Sequence, residues 1–187
     1  MLLNCEQIKD LLEDGVIEGA LYENINAASL DITLGDTILQ EALLPNDMLG
    51  FHPQVVELGK RTPLNFKSVK MDHNGYVIEP GEFILAQTRE IFHLPSDIAC
   101  EYKLKSSMAR MGLEHLNAGW CDPDWNNSVL TLELRNLTTY HSIRIRPGDK
   151  IGQMIFFKVK PVPTEHSYAT KGSYNSDLKV QASKESK

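Results

Sequence analysis

Cysteine is scarce: three in 187 residues, Cys5, Cys100 and Cys121, with no paired spacing, which argues against a disulfide framework. Long apolar runs are missing too. No stretch approaches the roughly 18 residues of a membrane helix, and the N-terminus carries no export pattern, so the expectation is a cytoplasmic protein without membrane contact. Positive charge is in deficit. With 19 Lys and Arg against 25 Asp and Glu the formal net charge is −6, which argues against a general nucleic-acid binder and confines any phosphate site to a local basic pocket. The six histidines form no metal-ligand pattern, and no internal repeat is present.

What is present is strand and turn. Asn4 and Gln7 suit a reciprocal cap for a short N-terminal helix with Ile8, Leu11 and Leu12 as its apolar stripe, ending at Gly15. Beyond it Leu30, Ile32 and Leu34 alternate, and Asn74-Gly75 reads as a hairpin before Tyr76-Val77-Ile78. Glu79-Pro80-Gly81 is a turn into Phe83-Ile84-Leu85-Ala86. Ile143 and Ile145 alternate before Pro147-Gly148, and Ile151 to Val159 forms a buried strand. Leu43 to Ser68 reads as a segment with a long loop. The pattern predicts an all-β sandwich or distorted barrel with a short N-terminal helix and small helical turns. After Pro161-Val162-Pro163 the chain turns polar, dividing it into a domain over 1–163 and a C-terminal segment over 164–187, disordered from Ala182.

Residues 105 to 136 concentrate the chemistry. In Val129-Leu130-Thr131-Leu132-Glu133-Leu134-Arg135, alternation puts the leucines on one face and Glu133 on the other. Desolvation of a mid-strand carboxyl suits it to proton transfer. The plain alternative is a solvated outer face with Glu133 paired to a cation. Ser106-Ser107-Met108-Ala109-Arg110 favours a helical turn capped by a serine, and with Lys105 and Arg110 it makes a phosphate cradle; the plain alternative is a cap with a solvated arginine. Gly119 and Asp122-Pro123 mark a tight connection where a loop carboxylate can position a hydroxyl, a water or a metal-bound phosphate.

Four motifs carry a family likeness. Asn26 to Gly35, Glu79 to Ala86, Lys105 to Leu113 and Arg146 to Met154 resemble, in order, segments of the dCTP deaminase and dUTPase superfamily, the third being similar to its Arg-Ser-Ser-x-Ala-Arg-x-Gly-Leu phosphate signature. The resemblance runs from about Leu3 to about Ser183 and implies a dUTPase-like fold, a homotrimer with sites between subunits, deoxycytidine and deoxyuridine nucleotides as ligands, and magnesium held by the triphosphate. It implies that Ser106, Ser107 and Arg110 hold phosphates, that Ala118 and Gly119 present backbone groups to the base, and that Glu133 activates the water attacking C4 of cytosine. Asp122 matches a carboxylate that contacts deoxyribose and, in the dUTP-hydrolysing branch, orients the water attacking phosphorus. Tyr168, Lys171 and Tyr174 fall in the segment that folds over nucleotide in the family.

Ala118-Gly119-Trp120-Cys121-Asp122 looks like the branch that continues from dCTP to dUMP rather than stopping at dUTP. Neither His-x-Glu nor Pro-Cys-x-x-Cys occurs, so the zinc route to deamination is not available. The chain departs from the family at Lys105, which stands for an arginine and loses its bidentate fork. It departs again at Asn117, where deaminases commonly have threonine. Ser173 and Asp177 replace a lysine and a glutamine of a late Lys-Tyr-x-x-Gln element, with Lys171 and Lys179 as candidate substitutes. Deamination of dCTP is the leading expectation. A dUTP diphosphatase without deaminase activity and a non-catalytic nucleotide-binding regulator are the alternatives.

Overall fold

One long strand organises the fold. The computed structural model describes residues 1–42, 55–60 and 64–184. Strand β2 (Leu30–Glu41) pairs by its first half with β13 (Lys150–Lys158) and by its second half with β5 (Phe83–Thr88) and β3 (Phe66–Lys70), all antiparallel. From β13 the sheet continues to β7 (Ile98–Leu104) and β9 (Trp120–Cys121); from β5 it continues to β11 (Thr131–Asn136) and β8 (Leu113–His115). Two small sheets complete it: β1 (Ile17–Glu18), β6 (Ile91–His93) and β10 (Asn126–Ser128) in one, β4 (Tyr76–Ile78) and β12 (Ile143–Ile145) in the other. The helices are short: α1 (Cys5–Glu13), α2 (Ser106–Arg110) and α3 (Tyr168–Lys171). No helix among the described residues is long and apolar enough to cross a membrane.

The strand bends at a glycine. Its register with β5 shifts between Leu34 and Ile38, and a Cβ on Gly35 would lie 2.8 Å from Gln87 Cγ and 3.1 Å from the carbonyl oxygens of Gln87 and Thr88. Only glycine lets the backbones approach so closely at a bulge. On either side of it Leu30, Ile32, Leu34 and Ile38 are fully buried against Ile84, Ala86, Leu132, Leu134 and Phe156. Each such aliphatic side chain stabilises the fold by roughly 1.5–3 kcal/mol. The alternation of Leu30, Ile32 and Leu34 does not mean a solvated second face, because Asp31 and Thr33 are buried as well. The Asp31 carboxylate accepts hydrogen bonds from Lys105 Nζ at 2.6 Å and Asn26 Nδ2 at 2.9 Å.

Several local expectations hold and others need correction. The Asn4 and Gln7 capping box is formed in both directions at 3.1 Å, and Gly15 follows the helix at φ +70°. Asn74-Gly75 is not a hairpin: β4 pairs with β12, and the Asp72 to Gly75 turn fits under the carbonyl of Ile145, where a Cβ on Gly75 would come within 1.9 Å. Of the Leu43 to Ser68 segment expected to contain a long loop, 43–54 and 61–63 lie outside the described residues, and its end joins strand from Phe66. Helix α2 is capped at Lys105 without a side-chain hydrogen bond, so neither serine serves as its cap.

Glu90 is a buried acid beside the bend. Its carboxylate accepts hydrogen bonds from Thr33, the backbone N at 3.1 Å and Oγ1 at 2.6 Å. Burial nevertheless holds the carboxyl above its usual range, and the Thr33 bonds offset only part of that rise. The folded state then binds the proton more tightly than the unfolded chain, so this stabilisation is present at low pH and fades as pH climbs through the raised value. The Glu90→Gln variant should therefore lose less stability than the parent as pH rises above the ordinary carboxyl range, followed by urea denaturation. Parallel losses in the two proteins would remove Glu90 as the titrating group.

Candidate active site

Glu133 stands in β11 between β5 and β8, opposite Leu85, with Leu134 opposite His115. Leu132 and Leu134 point into the core at 0% exposure, and the Glu133 side chain, on the other face, is 26% exposed. Among the described residues it meets no lysine or arginine. Instead its Oε2 lies 3.4 Å from Nε2 of the buried His115, a separation that closes no hydrogen bond and leaves both atoms buried and unbonded. The His115 ring is fixed from behind by Tyr102 at a centroid distance of 4.6 Å. An unbonded buried polar atom costs about 1–3 kcal/mol, so this pair is unfavourable for folding by itself.

The carboxylate opens into a pocket of about 940 Å³ whose walls include Thr131, Leu85, Ala118, Trp120, Tyr168 and Tyr174. That volume lies at the upper end of the range for small-molecule sites. The turn on one wall is shaped by backbone. Asn117 takes φ +59°, and Gly119 presses so closely on β7 that a Cβ would sit 2.6 Å from the carbonyl oxygen of Tyr102, while its own carbonyl accepts from Tyr102 N at 2.8 Å. Trp120 is 57% exposed and its indole N–H donates to Asp122 Oδ1 at 2.8 Å. Asp122 is exposed beside the pocket, and neither it, Asn117 nor Gly119 is among the lining residues.

The C-terminal segment lies across the pocket of its own chain. Tyr168 N donates to the carbonyl of Pro123 at 3.1 Å, Trp125 Nε1 to the carbonyl of Tyr174 at 2.8 Å, and Val129 N to the carbonyl of Asp177 at 2.9 Å. Val180 and Gln181 bond to Gln87 and Thr131. The end expected to be disordered from Ala182 is held at least through Lys184, whose ammonium donates to Asp177 Oδ2 at 2.7 Å and to the carbonyl of Ser173 at 2.8 Å and lies over the Tyr174 ring at 5.0 Å; 185–187 are outside the described residues. Lys184, not Lys171 or Lys179, thus brings a cation to Ser173 and Asp177. Lys171 is engaged with His166 Nδ1 at 3.0 Å, away from the pocket.

The phosphate signature is elsewhere. Ser106 and Ser107 occupy the exposed first turn of α2, and Arg110 is exposed with no ion-pair partner among the described residues. Lys105 turns away from them onto Asp31, which Lys150 also approaches at 3.9 Å. None of these four residues lines the Glu133 pocket. His115 and Lys184 were not singled out from the sequence. Their only signal is spatial, the pairing of β8 with β11 and the return of the tail.

The curled antiparallel sheet and its carboxylate-bearing pocket define an all-β protein with a small-molecule site. The family model described as dCTP deaminase-like matches residues 2–159. The chain belongs to that family. It is 33% identical over 198 residues to a dCTP deaminase, dUMP-forming, of Nanoarchaeum equitans, covering 95% of this chain and 98% of the relative. It is 32% identical over 189 residues to a protein of the same name from Persephonella marina, covering 98% and 97%. The crystal structure of a 2'-deoxycytidine 5'-triphosphate deaminase from Agrobacterium tumefaciens shares the fold with a TM-score of 0.62 at 24% identity, over 83% of this chain and 47% of that one. The chain thus spans about half the length of that structure.

Trp125 reports on the C-terminal cover, since it is 5% exposed, stacked on Phe92 at 5.4 Å and bonded to Tyr174. In a Trp120→Phe background, truncation after Gly172 should shift Trp125 emission to the red and open it to iodide quenching. Unchanged emission would mean that the segment does not shield the pocket.

Proposed function

We propose that the chain hydrolyses the exocyclic C–N bond of dCTP to give dUTP and continues to dUMP and pyrophosphate. The observation that carries this reading is the unbonded Glu133 oxygen beside His115 in a nucleotide-sized pocket; the family and the printed names of the relatives support it. In this reading Glu133 takes a proton from a water as its oxygen attacks C4 and passes it to N3, then moves the remaining hydroxyl proton to the departing amine, so that ammonia leaves and a carbonyl forms. His115 stands beside the carboxylate at 3.4 Å. Backbone groups of Ala118 and Gly119, with Asn117 beside them, face the base edge, and Tyr168 and Tyr174 close the pocket with Trp120 and exclude water.

The triphosphate goes to Ser106, Ser107 and Arg110, helped by Lys105 once it releases Asp31. Because these residues lie outside the Glu133 pocket of the same chain, the complete site is assigned to a homotrimer in which α2 of one subunit faces the pocket of the next. Magnesium enters as part of the substrate, bound to the phosphates, and zinc has no role. Asp122, oriented by Trp120, positions the sugar and the water that cleaves the phosphate chain. The trimer acts on free nucleotides in the cytoplasm.

Glu133→Gln keeps size but cannot accept the proton, so ammonia release from dCTP should fall by about 10²–10⁴. Asp122→Asn should diminish pyrophosphate while surviving deamination yields dUTP. A paired assay of ammonia and pyrophosphate decides this: pyrophosphate from dUTP with no ammonia from dCTP in the parent protein means a dUTP diphosphatase, and neither product means a non-catalytic binder.

Charge-assisted hydrogen bonds to phosphate are each worth about 1.5–3 kcal/mol, so Arg110→Ala should weaken nucleotide binding at least about tenfold. The assembly itself should remain trimeric by light scattering. Mixed trimers of Arg110→Ala and Glu133→Gln subunits should regain ammonia release, since some interfaces then carry two intact halves; no recovery in verified mixtures would place both halves on one subunit.

A further inference from the structure

Cys100 on β7 and Cys121 on β9 lie far apart in sequence but are register partners in an antiparallel pair. Directly opposed residues project to the same side of a sheet, and their Cα atoms stand about 4.5–5.5 Å apart, inside the roughly 4.4–6.8 Å span that a disulfide bridges. Both side chains are buried in the same core, at 0% and 4% exposure, and both are free. Cys121 also lines the Glu133 pocket. It is flanked by Trp120, on the pocket wall, and by Asp122.

We propose that Cys100 and Cys121 are a cross-strand dithiol that a small disulfide oxidant closes into a Cys100–Cys121 disulfide, clamping the Ala118–Asp122 turn onto β7 and lowering turnover. The Cys121 thiolate attacks one sulfur of the oxidant and expels a thiolate. The Cys100 thiolate then attacks the Cys121 sulfur of the mixed disulfide and expels the second half of the oxidant as another thiolate. Two protein thiols are oxidised, one small disulfide is reduced, and the two protons pass to the two released thiols. Burial, reinforced by the adjacent Cys121 thiol, pushes the Cys100 thiol well above the usual range, so the closing step is slow at neutral pH and the reduced pair is not lost casually. Clamping matters because Gly119 already touches Tyr102: the turn has no slack toward β7, and drawing Cys121 inward re-aims Trp120 and Asp122.

The test uses the full chain incubated with 2-hydroxyethyl disulfide, then denatured, alkylated and mapped by mass spectrometry, with dCTP and dUTP turnover followed in parallel. The expected result is a cross-linked peptide pair containing Cys100 and Cys121, in the parent and in Cys5→Ser. Turnover should fall several-fold and return with dithiothreitol. Cys100→Ala and Cys121→Val should each lack the cross-link and keep their own turnover through the oxidation. Full alkylation of both thiols after oxidation, or oxidation confined to Cys5, would overturn the pairing. A cross-link with unchanged turnover would overturn its coupling to the site. Only the turnover arm rests on the proposed function; the peptide map stands independently of it.

Discussion

The constraint on which the structure depends is that β2 must pair with two different sets of neighbours along its length. Its first residues close on β13 and its last on β5 and β3. Gly35 makes this geometry accessible, since any side chain there would strike Gln87 and the backbone behind it. Once the strand bends, the sheet curls, and residues on both of its faces become interior. That is why Asp31, Thr33 and Glu90 are buried although each sits between or beside apolar neighbours that alone would have suggested a half-solvated strand. The chain meets the cost with local partners: Lys105 and Asn26 for Asp31, Thr33 for Glu90.

The same curl produces the division of the candidate site. β11 carries Glu133 toward a pocket roofed by the C-terminal segment, whereas β7 delivers α2 and its serines to a separate exposed surface. A carboxylate oxygen, Glu133 Oε2, left without a hydrogen bond, and an arginine with no ion-pair partner among the described residues at the end of a short exposed helix, are both destabilising or neutral for a chain folding alone. Each makes sense as a half awaiting a ligand. The tail adds a third element, because Lys184 neutralises Asp177 and rests on Tyr174, leaving Glu133 as the pocket-wall carboxylate that meets no lysine or arginine among the described residues.

What could be read in the chain follows the range of the physics. The capping box of α1 is written in two residues three apart, and Glu133 and the leucines beside it follow a period of two, so both were legible. The Asn74-Gly75 turn shows the limit: the turn is local and forms, but the strand that Tyr76 to Ile78 pairs with is β12, some 65 residues onward. Likewise Lys105 was legible as a cation near a helix start, yet its side chain goes to Asp31, a partner named by no spacing.

The sequence by itself determined the fold class and the family, because strand alternation, turn residues and motif order are properties of neighbours along the chain. Tertiary structure alone decided which side chains meet. It brought His115 to Glu133, Lys184 to Asp177 and Cys121 to Cys100, and it kept Arg110 and the serines out of the Glu133 pocket. Those juxtapositions depend on strand register across long loops and on the bend at Gly35, and long-range pairing is set by packing of the whole sheet rather than by any local signal.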